Sequence, residues 1–274
     1  MLTYKTMRVN GYDMAYVERG AGVPVILVHG ALSDYRYWTS QMRPFGESYH
    51  AIAVSLRHCY PERWSGEGDG HSLKQHQEDL VSFINRLNEG PVHLVGHSRG
   101  ADLAAFLVSA RPDLVRKLVL VEPAPINTLM RDIPDARDRE DEFRVLFSAA
   151  LAALERGDRE GALKQFVEGV NYPGAWERVP GRQKENFRDN AWSLKSLQVD
   201  ADEPFSCRDA GKFNAPVLLV TGEKSAPIYK LMAEALQKCF TQHETVTIAK
   251  ASHPVNQMNP DAFNTAVLEF LQND

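Results

Sequence analysis

The sequence predicts an α/β fold: a mostly parallel eight-stranded sheet, helices on both of its faces, and an all-helical insertion. Three observations carry this reading. Short buried-strand runs alternate with helical patterns along most of the chain, which is the order a parallel sheet covered on both faces requires. From about 123 to 215 the alternation stops, and three helical patterns follow one another with no strand between them. The 274 residues suffice for one sizeable core with such an insertion and do not force two independent domains.

Each element has its own signal. Met7 to Val9 and Met14 to Glu18 flank Asn10-Gly11 and read as a hairpin. Val25 to Val28 is the first central strand, Trp38 to Phe45 a short helix, and His50 to Ser55 the next strand. Ser72 to Asn88 is a helix, with Leu73, Leu80, Phe83, Ile84 and Leu87 at helical spacing and Gly90-Pro91 stopping it. The loop before it, from Pro61 to Gly70, is rich in Gly, Glu and Asp and reads as surface. The Val92 to Val95 strand leads into a turn and a helical pattern from Ala101 to Ala110, and Lys117 to Val121 is another buried strand. The inserted helices are predicted over Glu140 to Arg156, Arg159 to Val170 and Arg182 to Leu197, punctuated by Pro134, Pro173, Pro180 and Pro204. Val217 to Val220 and Val246 to Ile248 complete the sheet. Asn259-Pro260-Asp261 opens a last amphipathic helix with Phe263, Val267, Leu268 and Leu271 on one face.

Composition narrows the function classes. Hydrophobic residues at 43% and charged residues at 24% are ordinary for a soluble globular protein. A net charge of -5 with no basic block argues against nucleic acid as a partner. No apolar run approaches the ~20 residues of a membrane span, and the opening residues lack a signal-peptide core. Cys59, Cys207 and Cys239 are an odd number without metal-ligand spacing, so free thiols in a reducing, cytoplasmic compartment are expected. Histidines show no metal-binding spacing and no glycine-rich loop reads as a phosphate cradle, so no metal and no cofactor are expected. The expected partner is a small-molecule substrate.

The chemistry concentrates at Gly96-His97-Ser98-Arg99-Gly100, between a strand run and a helical run. Strand, sharp turn and helix with serine at the apex is what a nucleophile elbow needs, because the strained turn lifts the hydroxyl above the sheet. A serine there could instead cap the helix. Val25 to Val28 ends in His29-Gly30-Ala31, and the Val246 strand is followed by Ala251-Ser252-His253. With these three motifs in this order, the chain resembles the α/β-hydrolase superfamily over nearly its whole length.

The resemblance implies an α/β-hydrolase fold with a core of 1–124 and 214–274 and a helical cap of 125–213. It implies Ser98 as nucleophile, His253 as base, and an oxyanion hole of the Ala31 and Arg99 backbone N–H groups. A dimer-forming role is the alternative for the inserted helices, which leaves a homodimer open. The usual acid position after the seventh strand holds Ser225, which cannot carry the charge that stabilises an imidazolium. Glu122, directly after Leu118 to Val121, is the expected replacement, with Glu223 as the alternative. The string after the fourth strand, Ser55-Leu56-Arg57-His58-Cys59, keeps the arginine of relatives and loses their glycines. Arg99, His29 and Trp192 are candidate substrate contacts, although Arg99 and His29 also read as structural. Phe143, Leu146, Phe147 and Phe166 are expected to share in lining the pocket. The implied activity is cleavage of a small ester, thioester or lactone through an acyl-enzyme. Carbon–carbon bond hydrolysis of a β-diketone-type substrate and a non-catalytic ligand receptor remain the alternatives.

Overall fold

In the computed structural model, which describes residues 3–68, 71–130, 136–199 and 204–273, the apolar runs become eight strands. These are β1 (Lys5–Val9), β2 (Tyr12–Arg19), β3 (Pro24–Val28), β4 (His50–Val54), β5 (Val92–His97), β6 (Val115–Val121), β7 (Val217–Gly222) and β8 (His243–Ile248). They form one sheet in the order β1-β2-β4-β3-β5-β6-β7-β8. β2 runs antiparallel to β1 and β4, and the remaining neighbours are parallel. The fold is the α/β-hydrolase fold. Gly70 and Pro134 lie outside the described residues.

The helices are α1 (Thr39–Phe45), α2 (Leu73–Leu87), α3 (Arg99–Ala110), α4 (Asn127–Met130), α5 (Ala136–Glu155), α6 (Arg159–Val170) and α7 (Ala175–Arg178). They continue as α8 (Gly181–Asp189), α9 (Leu194–Val199), α10 (Cys207–Ala210), α11 (Pro227–Gln237), α12 (Val255–Met258) and α13 (Pro260–Gln272). Alternating side chains of a strand point to opposite faces. In β3, Ile26 and Val28 therefore join Leu80 of α2, Leu107 of α3 and Leu236 of α11 on one face. Val25 and Leu27 join Phe45 of α1 and Phe263 of α13 on the other. Both faces are dry, which is why the parallel strands read as unbroken apolar runs.

Three departures from the sequence reading have local causes. The helix predicted over Arg182 to Leu197 is broken between α8 and α9 at Asn190. The Asn190 side chain donates to Asp34 Oδ2 at 2.6 Å and accepts the Tyr60 N–H at 2.8 Å, tying the insertion to the core. β8 starts at His243, earlier than predicted, because its exposed residues His243, Glu244 and Thr245 carry no apolar signal. α11 was not predicted at all, although Pro227 opens it and Ile228, Met232 and Leu236 fall on its buried side.

The inserted helices pack among themselves through Leu151, Leu163, Val167 and Leu194, and this cluster includes Leu32 from the loop after β3. The Leu32 N–H also donates to Ser193 Oγ at 2.8 Å. The insertion thus sits over the carboxyl end of β3. The expected free thiols are corrected at two positions. Cys207 and Cys239 form a disulfide with Cα atoms 4.6 Å apart, and Cys59 is buried and free. Spacing could not reveal this pair, because β7 and α11 lie between the two cysteines in the chain and only tertiary packing brings them together. No helix among the described residues is long and apolar enough to cross a membrane.

Candidate active site

The turn from β5 into α3 places Ser98 at φ 55 and ψ -127, a backbone region that L-residues avoid unless the surroundings enforce it. Two bonds enforce it here. The Ser98 N–H donates to Val121 O at 2.9 Å, and the Ala101 N–H donates to Ser98 O at 2.7 Å. The flanking glycines are steric necessities. A Cβ on Gly96 would lie 2.2 Å from the Gly100 carbonyl oxygen, and one on Gly100 would lie 2.5 Å from the His29 carbonyl oxygen. The Ser98 side chain makes no capping hydrogen bond to α3, so capping does not account for it.

Glu122 follows β6 with φ 48 and is fully buried. Its N–H extends the ladder to Val220 O at 2.8 Å, and its Oε1 accepts the Gly222 N–H at 2.6 Å. Its Oε2 lies 3.3 Å from His253 Nδ1, slightly beyond the 2.6–3.2 Å of a short hydrogen bond. An ionised Glu122 accepts from Nδ1–H at this position, and that tautomer leaves Nε2 as the basic nitrogen of His253. Glu223 is exposed and accepts the Lys250 N–H at 2.7 Å, not His253. Burial pushes the Glu122 carboxyl up to about 7, against the lowering pull of the Gly222 N–H. Burial also pushes the His253 imidazole down, which keeps it neutral at rest.

Ring stacking fixes the histidine. Tyr229 of α11 stacks on His253 with centroids 4.2 Å apart, and His97 packs on its other neighbours at 4.7 Å from both His253 and Tyr37. His97 Nε2–H donates to the His253 carbonyl oxygen at 3.0 Å, so the residue before the serine anchors the histidine loop. Tyr229 also donates to Val170 O of α6 at 3.3 Å.

Ser98 and His253 both line a cavity of about 340 Å³ between the strand ends and the inserted helices. Ala31 lines it as well. Its wall includes Leu32, Phe166, Val167 and Val170, with Tyr37, Gln183 and Gln257 as polar members and Arg178 as the formally charged one. Several expected contacts are not brought to this cavity. Arg99 is buried and directs Nη1 to His76 Nδ1 at 2.8 Å, because α2 packs against that side of α3. His29 Nδ1–H donates to Gly30 O at 2.8 Å while its Nε2 accepts the Leu56 N–H at 3.0 Å, so both nitrogens serve the turn. Trp192 packs over Gly66, where a Cβ would lie 2.5 Å from the indole. Of the expected aromatic and aliphatic lining, Phe166 reaches the cavity, whereas Phe143, Leu146 and Phe147 pack on the helical cluster. Tyr37, Tyr229, Arg178 and Gln257 were missed. Tyr229 could have been found from the apolar face of α11, but nothing local marks the other three.

Known proteins agree with this architecture. The family model described as "Alpha/beta hydrolase family" matches residues 25–266. The chain is similar to (E)-2-((N-methylformamido)methylene)succinate hydrolase of Acinetobacter baylyi, at 31% identity over 98% of this chain and 98% of the relative. It is similar to 2-(acetamidomethylene)succinate hydrolase of Mesorhizobium japonicum, at 24% identity over 93% and 90%. Among solved structures, a bromoperoxidase from Bacillus anthracis superposes with a TM-score of 0.80 at 22% identity, covering 99% of this chain and 100% of the other.

Proposed function

The chain belongs to the alpha/beta hydrolase family, and from that premise we propose that it is a serine hydrolase cleaving a small ester, thioester or lactone through an acyl-enzyme on Ser98. One observation carries the reading. The strained Ser98 and the basic edge of His253 share one cavity, and the far edge of His253 faces the buried Glu122. Residues 125–213 act as the cap of this site, and 1–124 with 214–274 as its core.

His253 Nε2 takes the Ser98 Oγ proton as the oxygen attacks the substrate carbonyl carbon. Glu122 accepts from Nδ1–H throughout and stabilises the imidazolium that forms. The oxyanion is held by the backbone N–H groups of Ala31 and Arg99. The next N–H in the first turn, that of Leu32, is already given to Ser193. Arg99 opens α3, whose positive dipole end favours the developing charge. His253 then protonates the leaving group, and a water deprotonated by His253 releases the acid. The two succinate hydrolases among the relatives favour turnover over a non-catalytic receptor.

Purified protein should label on Ser98 with a fluorophosphonate and turn over short p-nitrophenyl esters. Ser98→Ala should lose on the order of a millionfold in kcat. Turnover of a vinylogous diketone but of no ester would transfer the proposal to carbon–carbon bond hydrolysis. Wild-type turnover by Ser98→Ala would end it.

A further inference from the structure

We infer that this cavity selects acyl groups ending in a carboxylate, with Arg178 as the residue that binds it. The inference rests on the reading of Ser98 as the nucleophile and adds the substrate class. Among the described residues no aspartate or glutamate lines the cavity, and Arg178 is the formally charged side chain in its wall. A cation at the cavity mouth with no carboxylate opposite it in the described lining steers an anion toward that wall.

The guanidinium is available. Among the described residues no carboxylate pairs with Arg178. Glu177, its neighbour in α7, is engaged by Lys164 at 3.1 Å, and Asp189 at the end of α8 is engaged by Arg36 at 2.9 Å. The contact Arg178 does make is with the ring of Tyr172, 5.7 Å from its centroid, and Tyr172 lines the same cavity. Among the described residues no carboxylate holds the guanidinium edges, and those edges are what a carboxylate engages in paired, charge-assisted bonds. Arg178 is solvent-exposed, so it pays no burial penalty while waiting for its ligand.

The rest of the wall fits a small polar-ended acyl chain. Gln183 Nε2 donates to Gln257 Oε1 at 2.6 Å, and Gln257 Nε2 donates to Tyr37 O at 3.3 Å, so these amides are held in place. A cavity of about 340 Å³ is at the small end for ligand sites and suits a chain of a few carbons. Arg99, the other arginine near the nucleophile, is turned to His76 and does not compete for this role.

The test compares two p-nitrophenyl esters of equal carbon count, the hemiester of glutarate and the ester of pentanoate. Wild-type protein should favour the glutarate hemiester in kcat/KM, with a preference that falls as salt rises. Arg178→Gln should lower the ratio of the two kcat/KM values at least tenfold, and Arg178→Lys should restore part of it. A ratio unmoved by Arg178→Gln, or no preference in the wild type, overturns the inference. If neither ester turns over, the ester reading fails, and free glutarate titrated into wild type and Arg178→Gln decides separately. Binding weakened tenfold or more by Arg178→Gln supports the carboxylate site, and equal or absent binding overturns it.

Discussion

Glu122 serves two demands that conflict. The proposed reaction needs its charge beside His253, yet full burial disfavours that charge and raises its pKa from 4.5 to about 7. The sign of the consequence is fixed. A carboxyl whose folded pKa exceeds its unfolded value stabilises the fold below the unfolded value, and that contribution is lost as pH rises through the folded one. Between pH 4.5 and about 7 the wild type should therefore lose about 3 kcal/mol relative to Glu122→Gln, at 1.36 kcal/mol per pH unit. The same variant should lose about 10⁴-fold in turnover through the wrong imidazole tautomer. Wild-type kcat/KM should rise through an apparent pKa near 7 that belongs to the Glu122–His253 pair. Denaturant melts of both proteins at several pH values, with a pH–rate profile, check this. Parallel stability curves with retained turnover would remove Glu122 from the mechanism. The sequence points to Glu122 as the candidate acid because Ser225 stands where the resemblance puts an acid and a carboxylate ends the neighbouring strand; its place beside His253 is what the structure adds. Arg99 was misplaced because a guanidinium's direction depends on what packs around it, and His76 lies on a different helix.

At the scale of elements, two links join segments distant in sequence: the Cys207–Cys239 disulfide, and Asn190 bonded to Asp34 and Tyr60. Cys207 of α10 and Cys239, two residues beyond α11, close a loop with a sequence separation of 32. Closing a loop of that length should stabilise the fold by about 3–4 kcal/mol in the chain-entropy model. Urea unfolding of the Cys207→Ser/Cys239→Ser protein should show that loss, and reductant should reproduce it in the wild type while leaving the midpoint of the double variant unchanged. Equal midpoints for wild type with and without reductant would mean that the bond does not form in solution. Strand–helix alternation was readable for the central elements because burial on both faces leaves a continuous apolar run. It failed at β8, where an exposed edge has no such pattern, and at Asn190, where a polar side chain ends a helix for the sake of contacts in the core.

For the whole molecule, six histidines are held neutral by burial: His29, His71, His76, His93, His97 and His253. The bonding agrees for His29 and His76. Each uses one nitrogen as donor and the other as acceptor, so a second proton would displace the Leu56 N–H or face the Arg99 guanidinium. Their folded pKa values lie below the ordinary 6.5, at about 4 for His29 and His93. A depressed folded pKa contributes stability that is present above the unfolded value and lost as pH falls toward the folded one. Six such groups outweigh the single opposing effect of Glu122. Stability should therefore fall steeply from pH 6.5 toward pH 4, as followed by circular dichroism during urea melts. A flat profile over that interval would show that these imidazoles are not buried as described.

What the sequence determined by itself was everything that depends on neighbours along the chain. The sheet follows from apolar runs, the elbow from Gly96 and Gly100 on either side of Ser98, and the expected acid from a serine in an acid's place. Which side chains meet in the cavity is set by packing between distant segments. The Arg178 side chain lines it, and the Arg99 side chain turns to His76 instead. Phe166 reaches it and Phe143 does not, although both sit on buried helical faces. The physical reason is that periodicity specifies which face of an element is buried, whereas the partner of that face is set by packing between elements distant in sequence.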